Sequence, residues 1–522
     1  MMQTSWLDAI RGHALAHPET IAVVESRGRS VSRERLVRMV EGVMSSLLRE
    51  GFTTGDKVLF SVKPGIDALV LVLAVHELGG VLLPMDPGVC DALFHSRMAL
   101  LLPTWVFAQG VLLAPQHGLV MRILRARNIQ FAPLGAVAGA RYVHVGIRVP
   151  GARSSTSFRA LLRQPHRTAE SASAHSGRAE YEDESPAFVV CTSGTTAHPK
   201  AVVHSRRSLR AIVNAIGAEL ALVSDDVMYA RDLHLLLPAL VTGARAVIPR
   251  ESAFDARRTL RTMTREGVTH AFLVTRDCRL LLDECIASGK RVPDSLRSLM
   301  IGAAPVRASF LARLREVLPQ HTVAWCVYGA TEVLPVARVS LEEKLAFTGE
   351  GDLVGRTIPG VSVRTDEAGQ LCITGDRLFS GYAGEATVAE HATGDLARLD
   401  GDLIVLMGRA KDMIIRGEHN IYPALYEPLV ERVEGVRRAA LVGDFDSVLA
   451  DERVILVVEP ERGVEAGELL QRVAHAVKHG PHRLDSSAQP DQIIVRAIPE
   501  SGRSHKVDKT ALRRELRAAA AS

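Results

Sequence analysis

The densest phosphate chemistry in this sequence lies in Cys191-Thr192-Ser193-Gly194-Thr195-Thr196-Ala197-His198-Pro199-Lys200. It follows a short apolar run, Pro186-Ala187-Phe188-Val189-Val190, with the length and composition of a buried strand. Hydroxyls and backbone N–H groups in a loop after a strand can ring a polyphosphate, and the lysine adds positive charge. The same composition makes ordinary turns, so the loop needs company before it implies a nucleotide.

That company comes in order along the chain. The segments are Ile301-Gly302-Ala303-Ala304-Pro305, Val327-Tyr328-Gly329-Ala330-Thr331-Glu332, Thr393-Gly394-Asp395, Gly408-Arg409-Ala410-Lys411-Asp412 running on to Arg416-Gly417-Glu418, and Ser504-His505-Lys506-Val507-Asp508-Lys509. An isolated Tyr-Gly is usually a turn, and an isolated Gly-Asp usually a hairpin end. The joint order reverses those odds. Lysine usage points the same way: Arg is the default cation, yet lysine stands at Lys200, Lys411 and Lys506. A compact, mobile ammonium is not interchangeable with a planar guanidinium.

Together these segments resemble the signature series of the adenylate-forming superfamily: acyl-CoA synthetases, adenylation domains of peptide synthetases, and luciferases. The resemblance runs from Pro18-Glu19-Thr20-Ile21-Ala22 to the terminal lysine motif. It implies an α/β fold, with a large N-terminal domain of stacked mixed sheets flanked by helices and a small hinged α+β C-terminal domain. The expected boundary divides residues 1–408 from 409–522.

The resemblance also implies roles. Thr192, Ser193, Gly194, Thr195, Thr196 and Lys200 would cradle the ATP β- and γ-phosphates. The turn Gly302-Ala303-Ala304-Pro305 would let backbone approach adenine, with Tyr328 and Gly329 beside it. Thr331 would hold the α-phosphate and Glu332 would ligate Mg²⁺. Asp395 would bind the ribose hydroxyls, with Arg409 nearby. Lys506 would bridge substrate carboxylate and α-phosphate, Lys411 would be the hinge, and Gly417 would lie in the loop that replaces Lys506 for thioester formation. Coenzyme A or the phosphopantetheine of an acyl carrier protein would then accept the acyl group from a small carboxylic acid.

Some positions depart from the pattern. Ala197 and Ala201 stand where the family usually has glycine, and His505 replaces the glycine before the terminal lysine. Alanine adopts positive φ less readily, which motivates a reading as a binding protein without turnover. A shortened Asp226 to Gly243 segment, Tyr328 to Val336 and Met85-Asp86-Pro87-Gly88 resemble β-lactone synthetases, which adenylate a β-hydroxy acid and close a ring without a thiol. The Arg409 to Pro423 stretch resembles a thioester-forming ligase, and that reading is preferred. His234 is expected on a helix surface.

The elements that must position these residues follow from patterning. Helical spacing over Val31 to Glu50 and Ile66 to Leu78 alternates with strand-like Lys57 to Val62 and Val81 to Pro84, predicting crossover units and a largely parallel sheet. Periodicity fades between about Pro150 and Pro186, and Ser171 to Glu184, rich in Ser, Ala, Arg and acids, reads as an exposed loop or linker. Apolar residues make up 47% of the 522, enough for more than one core. A net charge of +4, with arginines spread among acids, argues against a nucleic-acid stripe. Arg206, Arg207 and Arg210 read as a solvated helix face. The six cysteines have no CxxC spacing and fit free thiols. The N-terminus lacks a signal-peptide pattern, and no apolar run suffices for a membrane span, so a cytoplasmic enzyme is expected.

Overall fold

The computed structural model describes residues 5–521 except 90, 115–130, 164–182, 193–199, 252, 304–305, 307, 350–351, 410–413, 422, 447–450, 481 and 502–505. Two large sheets dominate it. One has 13 strands and is mixed; the other has 8 and is largely parallel, as expected, with antiparallel pairing confined to one edge. In the larger sheet the strands Ile21–Glu25, Arg245–Ile248, Val227–Tyr229, His270–Val274, Ser298–Gly302 and Val323–Ala330 run parallel, side by side. Their carboxyl ends therefore share one edge, where ligands bind in open α/β sheets. Beyond Val323–Ala330 the pairing turns antiparallel, because a two-residue turn at Thr331-Glu332 sends the chain straight back as Val333–Ser340.

In the second sheet Lys57–Ser61, Val81–Pro84, Trp105–Gln109 and Arg141–Val145 are parallel. Pro186–Thr192 and Lys200–Ser205 form an antiparallel hairpin whose closing pair is Thr192 with Lys200. The short strand Gly381–Tyr382 pairs with Val203 and Val202 on its outer edge.

The helix Ile66–Glu77 is buried over most of its surface, with Leu69, Val70, Leu71, Leu73 and Ala74 all at 0% exposure. A helix apolar all round belongs inside a core. Truncating Leu69 to alanine there is worth about 2–5 kcal/mol of stability. The helix Arg33–Arg49 is amphipathic instead, and its N-cap Ser32 accepts from Arg35 N.

The smaller C-terminal domain carries a three-stranded sheet of Val436–Asp446, Asp451–Pro460 and Gln492–Val495. Strand alternation splits its apolar residues between two faces. Ala440, Val442, Ile455 and Val457 pack with Leu512, while Leu441, Leu456 and Val458 pack with Leu469, Val473 and Val477.

Where periodicity fades after Pro150, Thr156–Ser157 joins the sheet edge and Phe158–Arg163 is a helix with Phe158 and Leu161 buried, and most of the expected linker Ser171 to Glu184 lies outside the described residues. One expectation needs correction here. Arg206 is not on a solvated face. It is 4% exposed and its guanidinium donates to the His76 and Gly80 carbonyls, while Arg207 and Arg210 pair with Glu184 and Asp183. Among the described residues the cysteines are free, and no helix is long and apolar enough to cross a membrane.

Candidate active site

The strand Ser298–Gly302 ends at Ala303, whose φ of +68° lies in the left-handed region. An alanine held there stores local strain, a feature that clusters at binding sites. A Cβ placed on Gly302 would stand 3.1 Å from the Val327 carbonyl, so the backbones of the two strands run close here. Ala304 and Pro305 lie outside the described residues.

The next strand delivers Tyr328 and Gly329 to the same edge. A Cβ on Gly329 would stand 3.2 Å from the Val333 carbonyl oxygen and 2.8 Å from the movable Leu334 Cδ1, so the turn that follows leaves little room there. The Tyr328 hydroxyl donates to Asp395 Oδ2 at 2.7 Å. Asp395 is 7% exposed, and its strand register sets it opposite Arg409. The phenol occupies one of the carboxylate's roughly four lone-pair positions. For Arg409 only the backbone is described.

Thr331 and Glu332 form the turn itself. His204 Nε2 donates to the Thr331 carbonyl at 2.7 Å, and its Nδ1 lies 3.1 Å from the Ser208 hydroxyl. Burial holds the His204 imidazole below its ordinary range, which keeps it neutral and fits this one-donor arrangement. The Glu332 carbonyl accepts from Phe379 N at 2.8 Å, and its carboxylate accepts from the Tyr382 hydroxyl at 3.0 Å. Lys200 Nζ sits over the Tyr382 ring, 4.3 Å from its centroid. His391 packs edge-on to Phe379, and burial pushes its imidazole down despite the nearby Glu332 carboxylate.

Lys200, Tyr328, Thr331, Glu332 and Asp395 are thus brought together, with Gly302, Ala303, Gly329 and the Arg409 backbone on the same edge. Thr192 is placed by its pairing with Lys200. Ser193, Gly194, Thr195, Thr196 and Lys411 lie outside the described residues. No group of three or more His, Cys, Asp or Glu among the described residues could hold a metal ion. A cation at Glu332 would therefore draw its remaining ligands from substrate phosphates and water, the usual habit of Mg²⁺.

The small domain presents a hairpin, Ile414–Arg416 with His419–Ile421, toward the large domain. Gly417 at its tip has φ +59°, and a Cβ there would lie 3.7 Å from Arg276 Cδ. The Gly417 N–H donates to the Asp451 carboxylate at 2.8 Å, and Arg416 pairs with Asp491. Glu418 stands in the cleft facing Arg231, Asp232, Arg276 and Asp277; half its side chain is open to solvent. Desolvation in the cleft, and then the Asp232 carboxylate opposite, push its carboxyl up to about 7.

Lys506 is described by its backbone alone, paired with Ser501. Its neighbours are tied to the small domain: Val507 packs in that domain's core, and Lys509 pairs with Glu427 at 2.7 Å. No contact described here brings Lys506 to Asp395 or Glu332.

His234 is another correction. It is a half-buried residue at the start of the helix Leu233–Thr242, close enough to His204 to depress it, and burial lowers its own pKa. Tyr382, His204, Phe379 and His391 were missed by motif reading. With only seven tyrosines in the chain, Tyr382 beside Gly381 was the available signal.

A strand edge with close-approaching backbone, a buried carboxylate beside a tyrosine, and a lysine near a second carboxylate describe a nucleotide-activating enzyme. A family model described as AMP-binding enzyme matches residues 10–383, and the chain belongs to that family. It is an AMP-forming ligase. The olefin β-lactone synthetase of Stenotrophomonas maltophilia (strain K279a) is 27% identical over 491 residues, 84% of this chain and 83% of that protein. The medium-chain fatty-acid–CoA ligase of Escherichia coli (strain K12) is 25% identical over 536 residues, 96% and 89% of the two chains. Among solved structures, the amide bond synthetase McbA from Marinactinospora thermotolerans overlays with a TM-score of 0.78 at 22% identity, covering 98% of this chain and 100% of that one. That last likeness bears on the fold.

Proposed function

We propose that this protein activates a small carboxylic acid with ATP as an acyl-adenylate, releasing pyrophosphate, and then transfers the acyl group to the thiol of coenzyme A. The observation that carries the reading is the convergence of Lys200, Tyr328, Glu332 and Asp395 from strands and a turn of the two large sheets. Asp395 binds the ribose hydroxyls beside Tyr328, with Arg409 opposite. The Gly302 to Pro305 turn lies along adenine, and Thr192 to Thr196 with Lys200 surround the outer phosphates. Thr331 orients the α-phosphate, and Glu332 would hold Mg²⁺, which would supply charge neutralisation at the phosphates.

In the first half-reaction a carboxylate oxygen of the substrate bonds to the α-phosphorus as the bond to pyrophosphate breaks. Alignment and charge neutralisation supply most of the catalysis in such transfers. Lys506, carried by the small domain (residues 409–522), bridges the carboxylate and α-phosphate at this stage. A swing about Lys411 then withdraws it and brings the Gly417 hairpin to the large domain (residues 1–408). The hairpin's place above Arg276 supports that second arrangement.

A second reading, ring closure of a β-hydroxy acid without a thiol, is favoured by the similarity to the β-lactone synthetase across 84% of the chain. One experiment separates the two. Purified protein is given ATP and a panel of fatty, β-hydroxy and aryl acids, each with and without coenzyme A. AMP and acyl-CoA appearing together only with the thiol supports the ligase; AMP release from a β-hydroxy acid alone supports ring closure.

A further inference from the structure

The small domain meets the large one at a second place besides the Gly417 hairpin. The loop Asp86-Pro87-Gly88-Val89 runs between the strand Val81–Pro84 and the helix Asp91–Leu101. Half-buried Arg483, of the small domain, donates from Nη2 to the Gly88 carbonyl at 2.6 Å and to the Val89 carbonyl at 3.1 Å. Asp86 Oδ1 accepts from Gly88 N at 2.7 Å, an Asx turn that fixes the loop from within. A Cβ on Gly88 would stand 3.5 Å from Ser486 Oγ, so the two segments lie in contact. Val89, Leu484 and Ala488 are buried in one apolar cluster that spans both domains.

The segment that carries Arg483 is also tied to the hairpin. Arg416, at the end of the strand Ile414–Arg416, donates to the Ser487 carbonyl at 3.3 Å and the Gln489 carbonyl at 2.5 Å, and pairs with Asp491. Gln489 Nε2 donates to the Leu484 carbonyl at 2.8 Å, and Asp485 accepts from the buried Tyr426 hydroxyl at 2.9 Å. Residues 483–491 therefore act as a strut, with Arg483 at one end and the Gly417 hairpin at the other.

The chemistry of the clasp suits a contact that forms and breaks. Its acceptors are neutral carbonyls, which water can serve when the guanidinium leaves, whereas parting a buried ion pair strands a charge. A guanidinium fork meeting main-chain acceptors also fixes position more sharply than a flexible ammonium. Gly88 and Val89 belong to the large domain and Arg483 to the small one, so a swing about Lys411 separates them. These bonds exist in only one of the two arrangements.

We propose that Arg483 is a positioning residue for the second half-reaction. By clasping Gly88 and Val89 it holds the small domain where the strut sets the Gly417 hairpin against the large domain, and it takes no part in forming the adenylate. The assignment rests on the two-step ligase reading.

The test uses the full-length protein carrying Arg483→Met. Single-turnover transfer from preformed adenylate to coenzyme A is expected to slow by about tenfold or more, the effect of losing hydrogen bonds from a charged donor. Acid-dependent ATP–pyrophosphate exchange and the thermal midpoint stay at wild-type values. Arg483→Lys, which keeps the charge but not the fork, recovers part of the transfer rate. Gly88→Leu, which drives a side chain toward Ser486 from the large domain, gives the same split between half-reactions. In parallel, pulsed EPR reads the distance between a spin label on each domain, and Arg483→Met is expected to deplete the population at the docked distance. Transfer at the wild-type rate, an equal loss of exchange and transfer, or a label-distance distribution matching the wild type overturns the assignment. If the wild type transfers no acid to coenzyme A, the ligase reading falls by itself, and the label distances still judge the clasp.

Discussion

The cluster at Asp395 and the cleft at Glu418 are both built around carboxylates, and they treat them in opposite ways. Asp395 and Glu332 each receive a neutral phenol, from Tyr328 at 2.7 Å and Tyr382 at 3.0 Å. The donors and acceptors ride on strands of the two large sheets or on turns between them, so their spacing is fixed by backbone pairing. Glu418 faces Asp232 and Asp277 as well as Arg231 and Arg276, across elements that no backbone ladder joins. Short directional hydrogen bonds define one geometry; balanced charges across a cleft define a contact that can be made and released. The first region suits a bound nucleotide, the second a domain that changes partners between half-reactions.

The largest effect that would break this division is expected at Lys506. Lys506→Ala should lower acid-dependent ATP–pyrophosphate exchange by ~10²–10³, with an unchanged thermal midpoint. A variant that unfolds instead would return Lys506 to a structural role.

Next comes the hinge. Lys411→Pro should leave pyrophosphate exchange near wild type while thioester formation from preformed adenylate is largely lost, since proline fixes φ and removes a donor. Equal loss of both half-reactions, read in single-turnover assays, would dissolve the distinction between a fixed and a moving region.

Tyr328→Phe probes the fixed region. Removing a hydrogen bond to a charged group costs about 1.5–3 kcal/mol, so the KM for ATP should rise roughly tenfold or more, with the thiol KM unchanged. An unaltered ATP KM would detach Asp395 from the ribose.

The smallest effect sharpens the moving region. With its carboxyl raised to about 7 in the docked cleft, Glu418 binds its proton more tightly there than when the hairpin is free. Docking is therefore unpenalised below the ordinary glutamate pKa of 4.5, weakens as pH rises from there to about 7, and stays at its weakest above. Glu418→Gln should remove that dependence, raising the acyl-transfer rate a few-fold at pH 8 and little at pH 5. Identical pH profiles for the two proteins would show that Glu418 does not meet Asp232 during turnover.

Much of the site was legible in the sequence because its parts are locally constrained. Gly329 sits where the Val333 carbonyl leaves little room for a side chain, and Tyr328, Thr331 and Glu332 travel with it in one strand and turn. Asp395 was legible through the Thr393-Gly394 turn before it. Tyr382 and His204 were not, because each acquires its role from a partner 50 or 127 residues away. Arg206 looked like a solvated cation because nothing nearby in sequence marks the His76 and Gly80 carbonyls that receive it. The sheets were half visible: crossover units announce parallel strands, whereas the reversal after Ala330 depends on a two-residue turn that resembles any other.

The central claim is that the Asp395 cluster activates an acid as an adenylate, and acid-dependent exchange of labelled pyrophosphate into ATP tests it most directly. Exchange that requires one class of acid, and that Asp395→Ala abolishes while leaving the thermal midpoint intact, is the predicted result. ATP binding without exchange for any acid in the panel would contradict it, leaving a nucleotide-binding protein that does not turn over.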